Sequence, residues 1–365
     1  MLALAGYPLG ERFAAVDPSP EAGVRDLAHL IVASYEDPVA LDWMAEHCEV
    51  VTHEFERVPA ASARRIAERT PVRPNPDVLE VAQDRLSEKE LFARVGLATP
   101  RFATASTRTE LDSAVSSVGI PAVVKTRREG YDGKGQFVVR ARSELDRCWG
   151  ELGGEGNGRL NDRGGNGKDL IAEAMVDFDR ELSVLAVRST VGEIAFYPVV
   201  ENLHRDGILR LSRAPAGALG PELQSEAESY ARSIMSELDY VGVIAIELFQ
   251  AGGQLLGNEL APRVHNSGHW TIEGAVTSQF ANHLRAVTGR PLGSTRPLGN
   301  SAMVNLIGSL PDLDEVLRIE GARLHLYDKQ PRPGRKLGHV TLVAEDSEAL
   351  EERLSRLTDL VDWAS

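Results

Sequence analysis

The stretch that decides the fold is residues 121–136, which read PAVVKTRREGYDGKGQ. Its first six residues are typical of a short buried strand, and a second strand resumes in QFVVR at 136–140. Glycines let backbone N–H groups approach phosphate oxygens closely, and Lys125 and Lys134 supply compensating positive charge. Taken alone, the cluster favours a tight hairpin turn. It is neither a GxxxxGK[ST] loop nor a GxGxxG turn that opens a helix.

Two glutamates interrupt strand-like apolar runs further along the chain. Glu247 lies in VIAIELF and Glu259 in LLGNELAP, and the turn-like AGGQ separates the two runs. A hairpin would bring both carboxylates onto one face, where Mg²⁺ could be shared with nucleotide phosphates and Asn258 could add a third oxygen. A single glutamate near a turn is usually solvated. Two in apolar strands favour a shared site, because burying unpaired charge is costly.

Two polar clusters follow. The stretch APRVHNSGHW carries Arg263, His265, Asn266, Ser267 and His269, which favours an anion site over a loop capped by its own side chains. The second cluster lies in a predicted hairpin. Its side chains could clamp a phosphate or form a solvated face, and taken alone the cluster favours the solvated face. Its members are Lys329, Arg332, Arg335, Lys336 and His339.

The composition excludes several classes of function. With 365 residues the chain predicts two or three subdomains, and its net charge of -14 argues against nucleic-acid or anionic-membrane partners. The two cysteines, Cys48 and Cys148, have no spacing typical of a disulfide framework or a zinc site. No apolar run has the length of a membrane span and no signal peptide is evident, so we expect a cytoplasmic protein. Neither GxSxG nor HExxH occurs, which leaves a serine-triad hydrolase or zinc protease unsupported.

The pattern of elements predicts a mixture of α/β and α+β structure. Residues 12–58 predict βαβ units of a parallel sheet, and residues 75–96 predict helix between two domains, with Asn75 and Asp77 as candidate caps and Gly96 as its end. From Asp169 onward, strand-like runs predict an antiparallel α+β region with one long helix near 223–238. The last portion, 321–344, predicts hairpin strands around a basic loop before a terminal helix. The Gly- and Asn-rich stretch 153–168 predicts a floppy surface insertion that proteases should cut first.

Taken together, seven segments resemble the ATP-grasp superfamily, and within it the 5-(carboxyamino)imidazole ribonucleotide synthase family. The segments cover nearly the whole chain and occur in the same order as in the family. The pair NSGHWT and RPGRKLGH is the most specific to this family. The segments are VTHEFERVP, QDRLSEKELF, PAVVKTRREGYDGKGQ, FDRELSVLAVR, YPVVENLHRDGIL, NELAPRVHNSGHWT and RPGRKLGH. The resemblance implies an N-terminal Rossmann-like preATP-grasp domain at 1–85, an ATP-grasp region at 86–290 with a lid at about 105–180, and a C-terminal subdomain with antiparallel sheet at 291–365.

The resemblance also implies a set of ATP and Mg²⁺ contacts. Glu247 and Glu259 would ligate Mg²⁺, the segment 173–176 would pair with adenine through its backbone, and Glu181 would hold the ribose. The implied ATP contacts are Arg85, Lys125, Gly130, Tyr131, Asp132, Gly133, Lys134, Gly135, Gln136, Glu173, Ala174, Met175, Val176, Glu181, His204, Asn258 and Glu259.

The ribonucleotide and bicarbonate would lie between the second half of the chain and the N-terminal region. The implied catalytic residues are Tyr131, Asp132, Arg263, His265 and Lys329, and the implied substrate contacts are Glu54, Glu56, Asn266, Ser267 and Arg335. Arg263 would stabilise negative charge, while Asp132 or His265 would assist proton transfer. The implied partners are small molecules only, with a homodimer as the implied assembly.

The implied reaction is carboxylation of 5-aminoimidazole ribonucleotide, with bicarbonate and ATP forming carboxyphosphate. One alternative is another ATP-grasp ligase, similar to formate-dependent glycinamide ribonucleotide transformylase or a biotin carboxylase subunit. A further alternative is a catalytically silent nucleotide-binding protein. Members of the family carry a strand and a GGGQLG-type loop before a segment similar to LALAGYPLG, at which this sequence begins. We expect a start codon assigned too far downstream or a truncated first domain.

Overall fold

The computed structural model of the chain describes residues 1–130, 135–153 and 169–361. Its first region holds a short parallel sheet flanked by helices. The elements are α1 (Leu2–Gly6), a 3-10 turn (Tyr7–Leu9), β1 (Ala14–Asp17), β2 (His29–Val32), α2 (Pro38–His47) and α3 (Ala60–Ala67). Strands β1 and β2 pair in parallel, as predicted, although turns rather than a helix connect them. Leu41, Met44, Ile66 and Leu79 form the core beneath.

The predicted helical segment at 75–96 consists of two helices, α4 (Pro76–Ala82) and α5 (Arg85–Arg94). Asn75 caps the first through its side chain, as predicted. Asp77 lies in the first turn of α4, and Asp84, which accepts from the Leu86 N–H, caps the second helix instead. Gly96 follows α5 with a φ of 78°, a conformation that favours glycine and ends the helix.

A four-stranded antiparallel sheet follows the helices. Its strands are β3 (Phe102–Ala105), β4 (Ala122–Thr126), β5 (Gln136–Val139) and β6 (Leu170–Ala174), in the order β3-β6-β4-β5. The predicted order of strand, glycine-rich loop and strand is confirmed by the pairing of β4 with β5. Helices α6 (Arg108–Val118) and α7 (Leu145–Leu152) contribute Leu111, Val115 and Cys148 to the core of this unit. The predicted insertion falls almost entirely outside the described residues.

The second half of the chain is built on a nine-stranded antiparallel sheet. Its path is β12-β11-β7-β9-β10-β13-β15-β14, and β8 pairs with β7. The strands are β7 (Arg180–Arg188), β8 (Ile194–Phe196), β9 (Val200–Arg205), β10 (Ile208–Ala214), β11 (Gly242–Ala251), β12 (Gln254–Ala261), β13 (Asn300–Ile307), β14 (Ala322–Leu326) and β15 (Lys336–Ala344). The predicted C-terminal hairpin is β14 and β15.

Helices from the second half of the described chain cover this sheet. They are α8 (Pro221–Glu237), α9 (Thr271–Gly274), α10 (Gln279–Val287), α11 (Leu313–Leu317) and α12 (Ser347–Leu360). Helix α8 is the predicted long helix, and Ala231, Ile234 and Met235 on its buried face join the same core as Leu91 and Phe92 of α5. Of the helices in the described part of the chain, none is long and apolar enough to traverse a lipid bilayer.

Candidate active site

The carboxylate pair lies on the β11–β12 hairpin. Glu247 and Glu259 are directly opposite each other in the antiparallel register, so their side chains share one face of the sheet. The register shifts between Glu247 and Leu248, which leaves Asn258 as an extra residue in β12. The Asn258 Nδ2 atom lies 3.4 Å from the Glu247 Oε2 atom, so the bulge turns this amide toward the same face. The predicted hairpin is therefore present, with Asn258 beside the pair.

The electrostatics of this pair fit a divalent cation. Burial and the nearby charge of Glu259 raise the pKa of Glu247 to about 7. A bound cation would favour the charged form of Glu247. Among the described residues no cluster of three or more His, Cys, Asp or Glu side chains is arranged to hold a metal. That is compatible with Mg²⁺, which usually takes one or two carboxylates and completes its shell with phosphate and water.

Lys125 is the last residue but one of β4, in the four-stranded sheet. Its ammonium lies 3.1 Å from the Glu173 Oε2 atom, and the ammonium of Lys89 lies 3.2 Å from the same oxygen. Burial lowers the pKa of Lys125, while the charge of Glu173 opposes that shift. Two cations thus share one buried carboxylate, and Glu173 uses its side chain to hold Lys125 in place.

The segment 173–176 crosses from β6 toward β7. The Ala174 N–H donates to the Arg101 carbonyl at 2.8 Å, and the Met175 N–H donates to the Pro121 carbonyl at 3.2 Å. The Met175 side chain is 47% exposed. Backbone recognition of an adenine by this segment would therefore depend on its carbonyl groups and on the N–H groups other than these two.

Glu181 on β7 and His204 on β9 form a close pair. The Nδ1 atom of His204 lies 2.8 Å from the Glu181 Oε2 atom. Burial lowers the pKa of His204, but the hydrogen bond to Glu181 and the charge of Glu247 outweigh burial, so the pKa is raised overall. The two predicted contacts therefore lie together, next to the carboxylate hairpin.

The polar loop after β12 connects the hairpin to the N-terminal region. The Arg263 guanidinium binds the Glu56 carboxylate and donates to the Val264 carbonyl at 3.0 Å. Glu54 is bonded instead to the N-terminus of the chain. Its carboxylate accepts from the Leu2 N–H at 3.0 Å, and its side chain is 49% exposed. Of the two predicted contacts, only Glu56 is bonded to Arg263.

Three residues of the same loop have well-defined partners. The His265 Nδ1 atom lies 2.8 Å from the Ser267 Oγ atom, and the His265 Nε2 atom lies 3.4 Å from the Glu247 Oε1 atom. Burial and the nearby charges of Arg263 and Lys336 hold the pKa of His265 well below its ordinary value. Asn266 exchanges two amide hydrogen bonds with Asn305 of β13, at 3.0 and 2.7 Å.

Three members of the basic cluster, Lys329, Arg332 and Arg335, lie on the loop between β14 and β15. Lys336 begins β15 and His339 is buried within that strand, so the predicted solvated face does not include His339. The Lys329 ammonium is 5.3 Å from the centre of the Tyr327 ring, and Arg335 donates to the Gln330 carbonyl at 3.3 Å. At the base of the loop, the Tyr327 hydroxyl and the His339 Nδ1 atom are 2.7 Å apart. The predicted hairpin thus presents Lys329 and Arg335 together on one loop.

A cleft of about 660 Å³ joins the three regions of the chain. It is lined by Glu56 from the N-terminal region, Arg85 from α5, Gly130 at the start of the glycine-rich loop, and Glu259 from β12. Lys329 and Arg335 lie outside that lining. Tyr131, Asp132, Gly133 and Lys134 lie outside the described residues. Of their neighbours, Gln136 begins β5, and Gly135 has a φ of 74° and no room for a Cβ, which would be 2.8 Å from the Thr126 Oγ1 atom.

Sequence reasoning named Arg85 of α5 but missed Glu88 and Lys89 beside it. Arg85, Glu88 and Lys89 occupy one helix face, at spacings of three and four residues. Arg85 lies 3.4 Å from the Glu259 Oε2 atom, and Glu88 accepts from the Leu260 N–H. The sequence did offer a signal for this contact. Three charged residues lie on one face of a helix that also carries buried apolar side chains.

Comparisons with known proteins agree with this architecture. Family models match in chain order: a ribonucleotide synthetase preATP-grasp domain at 1–83, an ATP-grasp domain at 90–280 and a phosphoribosylaminoimidazole carboxylase C-terminal domain at 301–353. The N5-carboxyaminoimidazole ribonucleotide synthase of Pseudomonas aeruginosa is 45% identical over 99% of this chain and 96% of its own length.

Solved structures give the same result. The N5-carboxyaminoimidazole ribonucleotide synthetase of Thermus thermophilus is 54% identical, with a TM-score of 0.91 over 99% of this chain and 95% of that one. The synthase from Aspergillus clavatus, solved with ADP and 5-aminoimidazole ribonucleotide, is 28% identical, with a TM-score of 0.88 over 99% of this chain and 95% of that one. The chain therefore belongs to the N5-carboxyaminoimidazole ribonucleotide synthase family, whose members are ATP-dependent ligases with the ATP-grasp fold.

Proposed function

We propose that the chain carboxylates 5-aminoimidazole ribonucleotide to 5-(carboxyamino)imidazole ribonucleotide, with ATP and bicarbonate as co-substrates and ADP and phosphate as products, in de novo purine biosynthesis. The observation that carries the proposal is the pair of carboxylates, Glu247 and Glu259, opposed in register beside the cleft. Relatives named for this synthase activity match nearly the whole chain, and the Aspergillus clavatus synthase binds ADP and the aminoimidazole ribonucleotide.

In this proposal ATP lies between the four-stranded sheet and the carboxylate hairpin. Lys125, Arg85 and the loop 130–136, including Lys134, bind the phosphates. The segment 173–176 binds adenine, Glu181 holds the ribose and His204 approaches the nucleotide. The pairing of Lys125 with Glu173 supports this arrangement, because it holds a cation at the end of β4 where the glycine-rich loop begins. Glu247 and Glu259 hold Mg²⁺ beside Asn258. The bound ion would supply charge neutralisation at the phosphates.

The chemistry has two steps. A bicarbonate oxygen attacks the γ-phosphorus of ATP, the bond to the β,γ-bridging oxygen breaks, and carboxyphosphate and ADP form. The exocyclic amine of the ribonucleotide then attacks the carboxyl carbon, phosphate leaves, and the nitrogen loses a proton. Arg263 stabilises developing negative charge, and its contact with Glu56 supports that role by placing it at the junction with the N-terminal region. Asp132 or His265 is the proposed proton acceptor.

The ribonucleotide is proposed to lie toward the N-terminal region and the C-terminal hairpin. Glu54, Glu56, Asn266 and Ser267 are its proposed contacts, with Tyr131 near the reacting groups. Lys329 and Arg335 are proposed to bind its phosphate, and their common loop supports this because two cations there can converge on one anion.

The division of the chain and its assembly are also proposals. The preATP-grasp domain spans 1–85, the ATP-grasp region 86–290 with its lid at about 105–180, and the C-terminal subdomain 291–365. The matched ranges of the three family models support this division. We propose a cytoplasmic homodimer, which light scattering of the purified protein would test.

Coupled measurement of ADP release tests the proposed reaction. Release should require both 5-aminoimidazole ribonucleotide and bicarbonate. Glu259→Gln should abolish ADP formation while leaving the far-UV circular dichroism unchanged, whereas Glu193→Gln, at an exposed turn, should behave as the unmodified protein. ADP release that ignores bicarbonate would contradict the proposal, as would full activity of Glu259→Gln.

A further inference from the structure

Tyr327 lies where the C-terminal hairpin opens into the basic loop. It directly follows β14, and its N–H donates to the Leu337 carbonyl of β15 at 2.9 Å, so the hairpin pairing extends one residue beyond the strand. Its hydroxyl lies 2.7 Å from the Nδ1 atom of His339, which is fully buried in β15. The backbone and the ring of Tyr327 are therefore both bound to β15. The function proposed above gives this residue no role.

His339 is itself held by a second imidazole within the hairpin. His325 of β14 is its direct partner in the antiparallel register, and the two rings are stacked, with centres 4.5 Å apart and planes 11° apart. The Nε2 atom of His325 lies 2.8 Å from the Glu273 carboxylate of α9. The position of the Tyr327 ring thus depends on the packed hairpin and on α9 rather than on the exposed loop.

The ring of Tyr327 faces the Lys329 ammonium. The ammonium lies 5.3 Å from the ring centre, within the distance of about 6 Å at which a cation is attracted to an aromatic face. The Lys329 side chain is exposed, and a lysine carries its charge on a flexible four-carbon stem with many conformations. A ring fixed by β15 therefore restricts a flexible cation.

Arg335 is held at the other end of the same loop. Its guanidinium donates to the Gln330 carbonyl at 3.3 Å, and its own carbonyl accepts from the Gly308 N–H at 2.9 Å, just after β13. None of these contacts involves Tyr327. The two cations thus have separate supports, one at each end of the loop.

We propose that Tyr327 is a positioning residue for the phosphate of the ribonucleotide: its ring, anchored by His339, holds the Lys329 ammonium so that Lys329 and Arg335 reach one phosphate together. The inference rests on the proposed function, which supplies the phosphate as the ligand. Tyr327 acts through Lys329 and does not itself touch the substrate. Placing a cation before the ligand arrives reduces the conformational freedom that is lost on binding, which strengthens binding without changing the chemical step.

Lysine NMR on the ligand-free protein tests the ring contact without reference to activity. A methylene group above an aromatic ring resonates at higher field, so the full chain labelled with ¹³C at lysine Cε should show one signal shifted upfield. Lys329→Ala should remove that signal and so assign it. Tyr327→Leu should return it to an unshifted position, whereas Tyr327→Phe, which keeps the ring, should leave it shifted. A Lys329 signal that does not respond to Tyr327→Leu would overturn the proposal.

A double-mutant cycle tests whether Tyr327 acts through Lys329. The measurement is the dissociation constant of 5-aminoimidazole ribonucleotide, obtained by titration calorimetry. Tyr327→Leu should raise it by about 2- to 5-fold, the size expected for the loss of an exposed cation–π contact. In a Lys329→Ala background the same substitution should have no further effect, because the cation that Tyr327 positions is gone. An equal loss in both backgrounds would mean that Tyr327 acts by another route, and the positioning role would be wrong.

Two controls separate this role from general damage to the fold. Tyr230→Phe removes a comparable hydroxyl contact, the 3.0 Å hydrogen bond to Glu226 on α8, and should change neither measurement. The affinity of the Tyr327 variants for ADP should stay the same, since Lys329 is not among the proposed ATP contacts. A parallel loss of ADP affinity would contradict a specific role. If the unmodified protein does not bind the ribonucleotide, the proposed function fails, while the lysine spectra still decide whether Tyr327 positions Lys329.

Discussion

Several charged side chains of the candidate site are buried, and each pairs with a charged residue from a distant part of the chain. Lys89 is 1% exposed and Glu173 is 3% exposed, and both lie with Lys125 in one ion cluster. An unpaired ion at such a position would carry a desolvation cost of several kcal/mol. Burial lowers the pKa of Lys125, and the charge of Glu173 opposes that shift.

Glu173→Gln should expose this dependence. The substitution keeps the shape of the side chain but leaves two buried lysines without their shared carboxylate. The free energy of unfolding should fall by about 3 kcal/mol, since breaking a buried ion pair leaves an uncompensated charge. Urea denaturation measures this, with the exposed Glu193→Gln as the control. A change below about 0.5 kcal/mol, the size usual for a surface substitution, would count against the cluster.

Glu88 should make the stability of the metal-free protein depend on pH. Burial and the charge of Glu259 raise its pKa from 4.5 to about 8. Between these values the folded state holds more protons than the unfolded state, so stability is highest at the acid end and falls as pH rises toward 8. Glu247, with its pKa raised to about 7, acts in the same direction.

Glu88→Gln should flatten this decline while keeping an acceptor for the Leu260 N–H. The difference from the unmodified protein across the window should be on the order of a few kcal/mol. Urea denaturation at several pH values, without divalent metal, gives the curve. Glu36→Gln, at an exposed carboxylate of the same cleft, is the control. Parallel curves for Glu88→Gln and the unmodified protein would show that Glu88 is not the group responsible.

The prediction that Glu247 and Glu259 share one face of a hairpin is confirmed by their register. Glu247 and Glu259 stand out in the sequence because carboxylates are rare within strands that are otherwise apolar. The side-chain role of Glu173 was missed, because its partner Lys125 is 48 residues away and no local pattern joins them. Glu88 and Lys89 look like ordinary surface charges of a helix until tertiary packing buries them.

At the scale of elements, the break between α4 and α5 anchors the glycine-rich loop. Asp84 is 1% exposed, caps α5, and binds both Arg127 and Arg128 at the beginning of that loop. Its contacts with Arg127 are bidentate, at 2.7 and 2.6 Å. One carboxylate thus fixes the helix that carries Arg85 to the strand that carries Lys125.

Asp84→Ala should cost far more than the loss of a helix cap. A cap alone contributes about 1 kcal/mol, and Asp37→Ala at the start of α2 removes only a cap. Asp84→Ala also removes the buried carboxylate that both arginines bind, so the loss should reach about 3 kcal/mol. The measurement is urea denaturation of both variants. Equal losses would mean that the arginine contacts add nothing.

The sequence predicted the hairpins well, but it did not predict where one helix ends and the next begins. The β4–β5, β11–β12 and β14–β15 pairs follow from alternation and turn residues that are close in sequence. The helical stretch 75–96 carries no proline or glycine at its break, so the division at Asp84 was not visible. Strand β13 also escaped prediction, because it is buried along nearly its whole length and mixes apolar residues with Ser301 and Asn305.

Across the whole molecule, the candidate site exists only where three regions meet. The cleft takes Glu56 from the N-terminal region, Arg85 from α5 and Glu259 from β12, and Arg263 binds Glu56 across the same junction. Such contacts depend on packing between distant segments, which periodicity in one sequence cannot give. The resemblance predicted that these residues belong to one site, and the fold brings Glu56, Arg85 and Glu259 into one cleft.

The most direct test of the account is metal binding at the carboxylate hairpin. Electron paramagnetic resonance can count Mn²⁺, as a substitute for Mg²⁺, bound in the presence of ADP. The unmodified protein should bind Mn²⁺ with ADP, and the double variant Glu247→Gln and Glu259→Gln should lose that binding while its circular dichroism spectrum is unchanged. Equal binding of Mn²⁺ by the two proteins would contradict the central claim that this opposed pair holds the metal.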